Sequence, residues 1–190
     1  GKDGSANKYF SANDFKNATS FTVAFWIKNT AQAGRTEFLF SYVDDSYGWH
    51  HSSLFLMFEN QTAIQATMKF GIMDQWMEGT IVKPVFDGQW HHMAYTYDQT
   101  TSKVTYYFDG ALVTGMNSTQ TDVKKNGAPR GAVDFTTSKE FILGGWNMHA
   151  NAVGPTDGWI KSFTGNLDQF RLYNKAISAT EINALFTGRK

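Results

Sequence analysis

The chain of 190 residues contains no cysteine and only three prolines. Without cysteine it can form no disulfide, thiolate zinc site or cysteine nucleophile. It also lacks an excess of charge of one sign, because 17 basic side chains balance 17 acidic ones. Nucleic acids and anionic membrane surfaces are bound through clustered basic charge, so we expect neither as a partner.

Long apolar runs are missing as well. The longest, at 21–27, is interrupted by Thr22 and is far shorter than the roughly 20 residues that cross a bilayer. We therefore expect no transmembrane segment. A chain of this length buries roughly 70% of its unfolded surface around one core, and no Pro-rich or Ser-rich linker divides it. Residues 1–190 are predicted to form a single domain.

What the sequence does contain is alternation of apolar and polar residues with period two, which is typical of strands with one face on a core. This alternation predicts strands over residues 21–28, 37–43, 53–59, 63–70, 80–86, 90–97, 103–108, 140–143 and 167–173. Asp109 and Gly110, between two such runs, predict a hairpin over 104–113. The weakly patterned residues 115–139 are expected to form a long surface loop with one short strand near Val133.

The end of the chain carries the one clear helix signal. Ser178 and Glu181 have the spacing of a capping box, and Ile182, Leu185 and Phe186 then form one apolar stripe. We expect this helix to pack on the rim of the fold. Many short antiparallel strands with turns between them predict an all-β protein, a two-sheet antiparallel β-sandwich (jelly roll) with one short C-terminal helix.

Four sequence blocks follow one another along the chain. They are FTVAFWIK at 21–28, DGQWHHMA at 87–94, YYFDGALV at 106–113 and FTGNLDQFRLYN at 163–174. In this order they resemble the laminin-G-like, concanavalin A-like jelly-roll family, with the match covering nearly the whole chain. The resemblance implies the same sandwich. It leaves the function open, because this fold hosts lectins, carbohydrate-binding modules, adhesion domains and glucanases.

Catalysis is not expected. Glucanases of this fold carry Glu-x-Asp-x-x-Glu on one strand, and a retaining glycosidase needs two carboxyl groups about 5 to 5.5 Å apart. The glutamates here are widely separated and none begins that pattern, although carboxylates from different strands could converge. His91 and His92 are adjacent on a predicted strand and point to opposite faces, so they cannot share a metal. We interpret His91 as a hydrogen-bonded structural side chain.

Asp168 is in phase with Phe170 and Leu172 on the last predicted strand, which directs its carboxylate toward an apolar face. A carboxylate there needs backbone amides, a basic partner or a cation. The family resemblance implies a structural calcium at the equivalent aspartate, completed by carbonyl oxygens. Capture by amides or by a Lys or Arg side chain is the alternative.

Most of the tryptophans lie outside the middle of predicted strands. A flat aromatic ring in a loop can stack on the apolar face of a sugar while polar neighbours bind its hydroxyl groups. The predicted ligand-binding residues are Trp49, His50, Trp76, Trp146, His149 and Trp159. The alternative is that the loops fold back and bury these tryptophans as plugs at the ends of the sandwich.

The resemblance and the loop aromatics together predict a non-catalytic, lectin-like module that binds a glycan or polysaccharide. The resemblance further implies an extracellular or cell-surface bacterial protein. The alternative is an adhesion or scaffold domain that binds a protein surface, through residues 115–139. A groove lined by tryptophans favours the glycan, and a flat apolar patch favours the protein partner.

Overall fold

The computed structural model describes residues 7–10 and 14–189, with side chains from residue 14 onward. Within them the strands are β1 (Asn7–Phe10), β2 (Phe21–Lys28), β3 (Thr36–Val43), β4 (Ser52–Thr62), β5 (Gln65–Ile72), β6 (Gln75–Ile81), β7 (His91–Asp98), β8 (Lys103–Phe108), β9 (Ala111–Leu112), β10 (Lys124–Lys125), β11 (Ala128–Pro129), β12 (Glu140–Leu143), β13 (Ile160–Ser162) and β14 (Asn166–Tyr173). The helices are α1 (Ser118–Thr121) and α2 (Ala179–Thr187), and 3₁₀ turns span Asp14–Asn17 and Asn147–Ala150.

Two sheets face each other. The larger has the order β1-β12-β3-β4-β5-β6, with β13 paired to β3 in parallel, and the smaller has the order β14-β2-β7-β8-β9. All other pairs in these sheets are antiparallel. The predicted two-sheet antiparallel sandwich with a C-terminal helix is confirmed.

Aromatic rings fill the space between the sheets. Phe70 of the larger sheet stacks on Tyr95 of the smaller one at 4.8 Å between ring centroids, and Phe25 meets Phe40 edge to face at 6.4 Å. All four side chains are buried. Burial of one such ring contributes about 1.5–3 kcal/mol, so this layer of rings stabilises the packing of the two sheets against each other.

One predicted strand is wrong. Residues 80–86 were expected to be extended, but the strand β6 ends at Ile81 and begins directly after the Met73-Asp74 turn that joins it to β5. Met73 makes this turn with φ of 57°. Val82 is exposed and Pro84 offers no backbone N–H, so the chain leaves the sheet there.

Residues 115–139 do not form the expected surface loop. They contain α1 and the β10–β11 hairpin, and the residues around Val133 form no strand. Val123, Val133 and Phe135 are buried in the core, where Phe135 stacks on Phe15 at 5.2 Å. These three apolar side chains therefore attach residues 115–139 to the sandwich. The mostly polar composition of the segment gave no sign of this attachment.

The capping box of α2 is confirmed, since the Ser178 hydroxyl accepts the Glu181 N–H at 3.3 Å and the Glu181 carboxylate accepts the Ser178 N–H at 2.7 Å. The helix does not lie on the rim. Ile182 packs over Ala24 and Ala94 on the outer face of the smaller sheet, where small side chains leave room for it. No helix among the described residues is long and apolar enough to cross a membrane.

Candidate functional site

A second cluster of aromatic residues lies on the outer face of the larger sheet, away from the core. Strand side chains alternate between faces, so Phe55 and Met57 of β4 point outward while Leu54 and Leu56 point into the core. We call this group the outer cluster: Phe38, Phe55, Met57, Trp146 and Ile160, with Trp76 and Met148 packed against it. Apolar rings give no hydrophobic stabilisation while water covers them. This face of the sheet is therefore either covered by other residues or a binding surface.

Gly71 shapes the middle of the outer cluster. It pairs with Phe55 on one side and with Trp76 on the other, so the three residues form a row across β4, β5 and β6. A Cβ atom at Gly71 would lie 2.0 Å from the Phe55 ring. The missing side chain lets the rings of Phe55 and Trp76 meet above the glycine at 5.7 Å, perpendicular to each other.

Trp49 packs against the outer cluster and is partly exposed to solvent. It follows Gly48, which adopts φ of 46° in the loop between β3 and β4. Its ring lies 5.4 Å from that of Trp76 and 5.3 Å from that of Trp146, edge to face in both contacts. Trp49 is 41% exposed and Trp76 is half-buried. We call these two residues the tryptophan platform.

Trp146 and His50 are placed beneath this platform. Trp146 is 0% exposed and stacks on Phe38 at 5.0 Å, and its indole N–H donates to the carbonyl oxygen of His50. His50 is 2% exposed, and burial lowers its pKa to about 4, so the ring is neutral at pH 7. The prediction that these two side chains face a ligand is wrong, because both are buried in the support.

His149 and Asn147 hold the loop that carries Trp146. His149 Nδ1 accepts the Trp146 backbone N–H at 3.0 Å, so His149 is a positioning residue and not part of the platform. Asn147 is fully buried. Its Oδ1 accepts the Ser41 hydroxyl at 2.8 Å, and its Nδ2 donates to the carbonyl oxygens of His51 at 2.7 Å and Val153 at 2.9 Å. Nothing in the sequence pattern singled out Asn147.

Charged side chains of β4, β5 and β6 lie next to the platform. Lys69 Nζ lies 3.1 Å from the Glu59 carboxylate, 3.6 Å from the Glu78 carboxylate and 5.7 Å from the Trp76 ring centroid. Sequence reasoning missed these three residues. The period-two pattern could have identified the two glutamates. Glu59 is in phase with Phe55 and Glu78 is in phase with Trp76, so each lies on the same face of the sheet as the ring.

Trp159 lies apart from the platform. It is 55% exposed and lines a separate cavity at the start of β3. The six predicted ligand-binding residues therefore divide into three groups. Trp49 and Trp76 form the platform, His50, Trp146 and His149 support it, and Trp159 belongs to the second cavity.

Asp168 is exposed, which contradicts the predicted inward orientation. A β-bulge between Asp168 and Arg171 shifts the phase of β14, so Leu167 and Phe170 pack on the core and Asp168 does not. Its carboxylate accepts the N–H of Gln169. No group of three or more His, Asp or Glu side chains that could hold a metal occurs among the described residues. The surroundings of Asp168 do not fit the predicted calcium ligand, and calcium binding by the chain stays a prediction.

His91 is held by two carboxylates. Its Nδ1 lies 2.8 Å from Asp109 and its Nε2 lies 3.1 Å from Asp87, while its ring stacks on Phe108 at 4.7 Å. Both ring nitrogens are thus engaged, which confirms the interpretation of His91 as a structural side chain.

Comparisons with known proteins agree with this architecture. The CBM40 of the Ruminococcus gnavus IT-sialidase, solved with α2,3 sialyllactose, has a TM-score of 0.64 at 16% identity, covering 97% of this chain and 96% of that one. An SAP-like pentraxin of Limulus polyphemus has a TM-score of 0.62 at 13% identity, covering 89% and 70%.

Botulinum neurotoxin type C, whose cell entry depends on interaction with two ganglioside molecules, has a TM-score of 0.55 at 13% identity, covering 96% of this chain and 42% of that one. At these identities the likeness concerns the fold. No curated protein sequence matches the chain. The family described as the concanavalin A-like lectin/glucanases superfamily matches residues 2–183. The chain therefore belongs to the concanavalin A-like lectin/glucanase superfamily.

Proposed function

We propose that this chain is a non-catalytic glycan-binding module and that its tryptophan platform holds an uncharged sugar. The observation that carries the proposal is the pair Trp49 and Trp76, whose partly exposed rings lie 5.4 Å apart on a floor of buried rings. Ligand sites are mostly apolar surfaces with a few polar groups placed beside them, and this face has that composition.

The buried rings of Trp146 and Phe55 hold the tryptophan platform rigid. Trp49 and Trp76 each contact a buried ring, Trp146 and Phe55 respectively, so neither has to be ordered when a ligand binds. Pre-organisation of this kind lowers the entropic cost of binding. This cost matters for sugars, because stacking on a hydrated ring yields little net free energy per contact.

The polar groups next to the platform indicate the charge of the ligand. Lys69, Glu59 and Glu78 supply one positive and two negative charges at this edge. Carboxylates and an ammonium group can hydrogen-bond sugar hydroxyls, whereas the excess negative charge disfavours an acidic sugar. An uncharged glycan therefore fits better than an anionic one.

The same three residues argue against hydrolysis. A glycosidase places its two carboxyl groups on either side of an open space that the scissile bond enters. Here Lys69 Nζ occupies the space between Glu59 and Glu78, within 3.6 Å of both. We therefore propose binding without catalysis, in a module located outside the cell or at its surface, where polysaccharides occur.

A glycan array of the purified domain tests the proposal. We expect binding to uncharged glycans, and Trp49→Ala and Trp76→Ala should each weaken it by about tenfold or more, as for other central aromatic contacts. Trp159→Ala is the matched control, because it removes an exposed tryptophan outside the platform and should leave this binding unchanged. Folded protein that binds no uncharged glycan, or unchanged affinity in both platform variants, would contradict the proposal.

A further inference from the structure

The cavity beside Trp159 has a chemistry that differs from that of the platform. Its volume is about 340 Å³, at the low end of the range of ligand pockets, roughly 300–1,000 Å³. The lining residues are Gln32, Ala33, Gly34, Arg35, Trp159 and Lys161. This lining includes one exposed aromatic ring, two basic side chains and one amide, and no acidic side chain.

Strand pairing brings the two halves of the cavity together. β13 pairs with β3 in parallel, with Ile160 opposite Thr36. Ile160 is 1% exposed within the outer cluster, so it anchors β13 to the sheet. Trp159 and Lys161 flank this anchor and line the cavity together with Arg35, the residue before Thr36.

Arg35 is held in one position. Its Nε donates to Glu37 Oε1 at 2.6 Å, and one terminal nitrogen donates to the Ser162 carbonyl oxygen at 3.2 Å. Glu37 is fully buried and also accepts the Thr164 hydroxyl at 2.7 Å and the Gln61 amide at 3.2 Å. The Arg35 guanidinium therefore loses little conformational freedom when a ligand binds to its remaining N–H donors.

The loop that lines the cavity, residues 32–35, is connected to the same hydrogen-bond network. The backbone N–H of Gln32 donates to Gln61 Oε1 at 3.1 Å, and the other end of the Gln61 amide binds Glu37. The buried Glu37 carboxylate thus orders both the guanidinium and the loop. It balances the charge of Arg35, whereas Lys161 donates to the neutral Gly158 carbonyl at 2.6 Å and pairs with no carboxylate among the residues that the structure describes.

We propose that this cavity is a second saccharide site, which takes a sugar residue that carries a carboxylate or a sulfate group. The sugar ring stacks on Trp159, and its anionic group lies between Lys161 and the free donors of Arg35. The two sites on this chain then differ in the charge of the sugar they prefer, which is uncharged at the platform and anionic here. The second site does not depend on the first.

Isothermal titration with three charged probes and one uncharged probe tests this site. The charged probes are oligogalacturonate, sialyllactose and a sulfated galactan oligosaccharide, and the uncharged probe is methyl-esterified oligogalacturonate. We expect at least one charged probe to bind, and removal of the charge by esterification to abolish oligogalacturonate binding where it occurs. Comparison of the carboxylated and sulfated probes identifies which anion the site prefers.

Four variants locate the binding. Trp159→Ala should weaken the charged probe about tenfold or more. Lys161→Gln should weaken it about two- to fivefold and reduce its salt dependence, as expected for a solvent-exposed ion pair. Lys16→Gln, an exposed lysine outside the cavity, and Trp49→Ala should have no effect. The assignment is overturned if no charged probe binds to folded protein, if Trp159→Ala binds as the unmodified chain does, or if Trp49→Ala abolishes the binding.

Discussion

The indole N–H of Trp146 donates to the carbonyl oxygen of His50 at 3.0 Å, across 96 positions of the chain. This bond joins the loop between β3 and β4 to the loop after β12. The first of these loops carries Trp49, and the ring of Trp146 supports Trp49 from below at 5.3 Å. The position of the partly exposed Trp49 thus depends on a buried hydrogen bond.

Trp146 should behave as a stability residue and Trp49 as a binding residue. Trp146→Ala removes a fully buried ring, and we expect it to lower the free energy of unfolding by about 3–5 kcal/mol in urea denaturation. Trp49→Ala removes a ring that is 41% exposed and should change the free energy of unfolding far less. Equal loss of stability in both variants would contradict the placement of Trp146 as support.

Gly71 should not tolerate a side chain. Gly71→Ala places a Cβ atom 2.0 Å from the fully buried Phe55 ring, and such overpacking costs about 1–3 kcal/mol. The displaced ring should also disturb Trp76 and weaken glycan binding. Gly158→Ala is the control, because its Cβ would meet no atom within 4 Å. Thermal unfolding of the two variants measures the difference, and equal midpoints would count against the role of Gly71.

Replacement of Asn147 by aspartate, which has nearly the same shape, should destabilise the protein. Asn147→Asp keeps the acceptor for Ser41 but turns the donor to His51 and Val153 into a carboxylate oxygen that faces two carbonyl oxygens. We expect a loss of about 3 kcal/mol or more in the free energy of unfolding, since a buried charge is left uncompensated. The exposed Asn151→Asp is the matched control. A loss confined to less than 1 kcal/mol, roughly the value of one hydrogen bond, would refute this assignment.

Stability should fall in mild acid because of two buried histidines. Burial lowers the pKa of His50 and of His92 from 6.5 to about 4. In this window the unfolded chain binds protons that the folded chain rejects, so the stabilisation present above pH 6.5 is lost as the pH falls toward 4. Between pH 7 and pH 5 each histidine should reduce the free energy of unfolding by about 2 kcal/mol.

Urea denaturation at both pH values measures this loss, and His50→Gln separates the two contributions. The variant cannot take up the proton, so its stability should depend less steeply on pH than that of the unmodified chain. An equal dependence in both proteins would show that His50 does not titrate in this range.

Local patterns were enough to predict much of the fold. Alternation with period two marked Phe21, Val23, Phe25 and Ile27 as one face, and all four are buried in the core. The Asp109-Gly110 turn and the Ser178–Glu181 capping box were also predictable, because a turn or a cap depends only on neighbouring residues. Asp168 was mispredicted because a β-bulge adds one residue to the count, and alternation then assigns the wrong face.

The site was harder to predict, because it depends on which faces the two sheets leave uncovered. The sequence by itself determined that the chain has aromatic residues outside its core strands and no local carboxylate pair for hydrolysis. Only the tertiary structure decided that Trp146 is buried while Trp49 and Trp159 are exposed, that Lys69 lies between Glu59 and Glu78, and that Arg35 and Trp159 share a cavity. The physical reason is that the exposure and charge environment of a side chain are set by residues distant in sequence, which pairing and packing of the strands bring together.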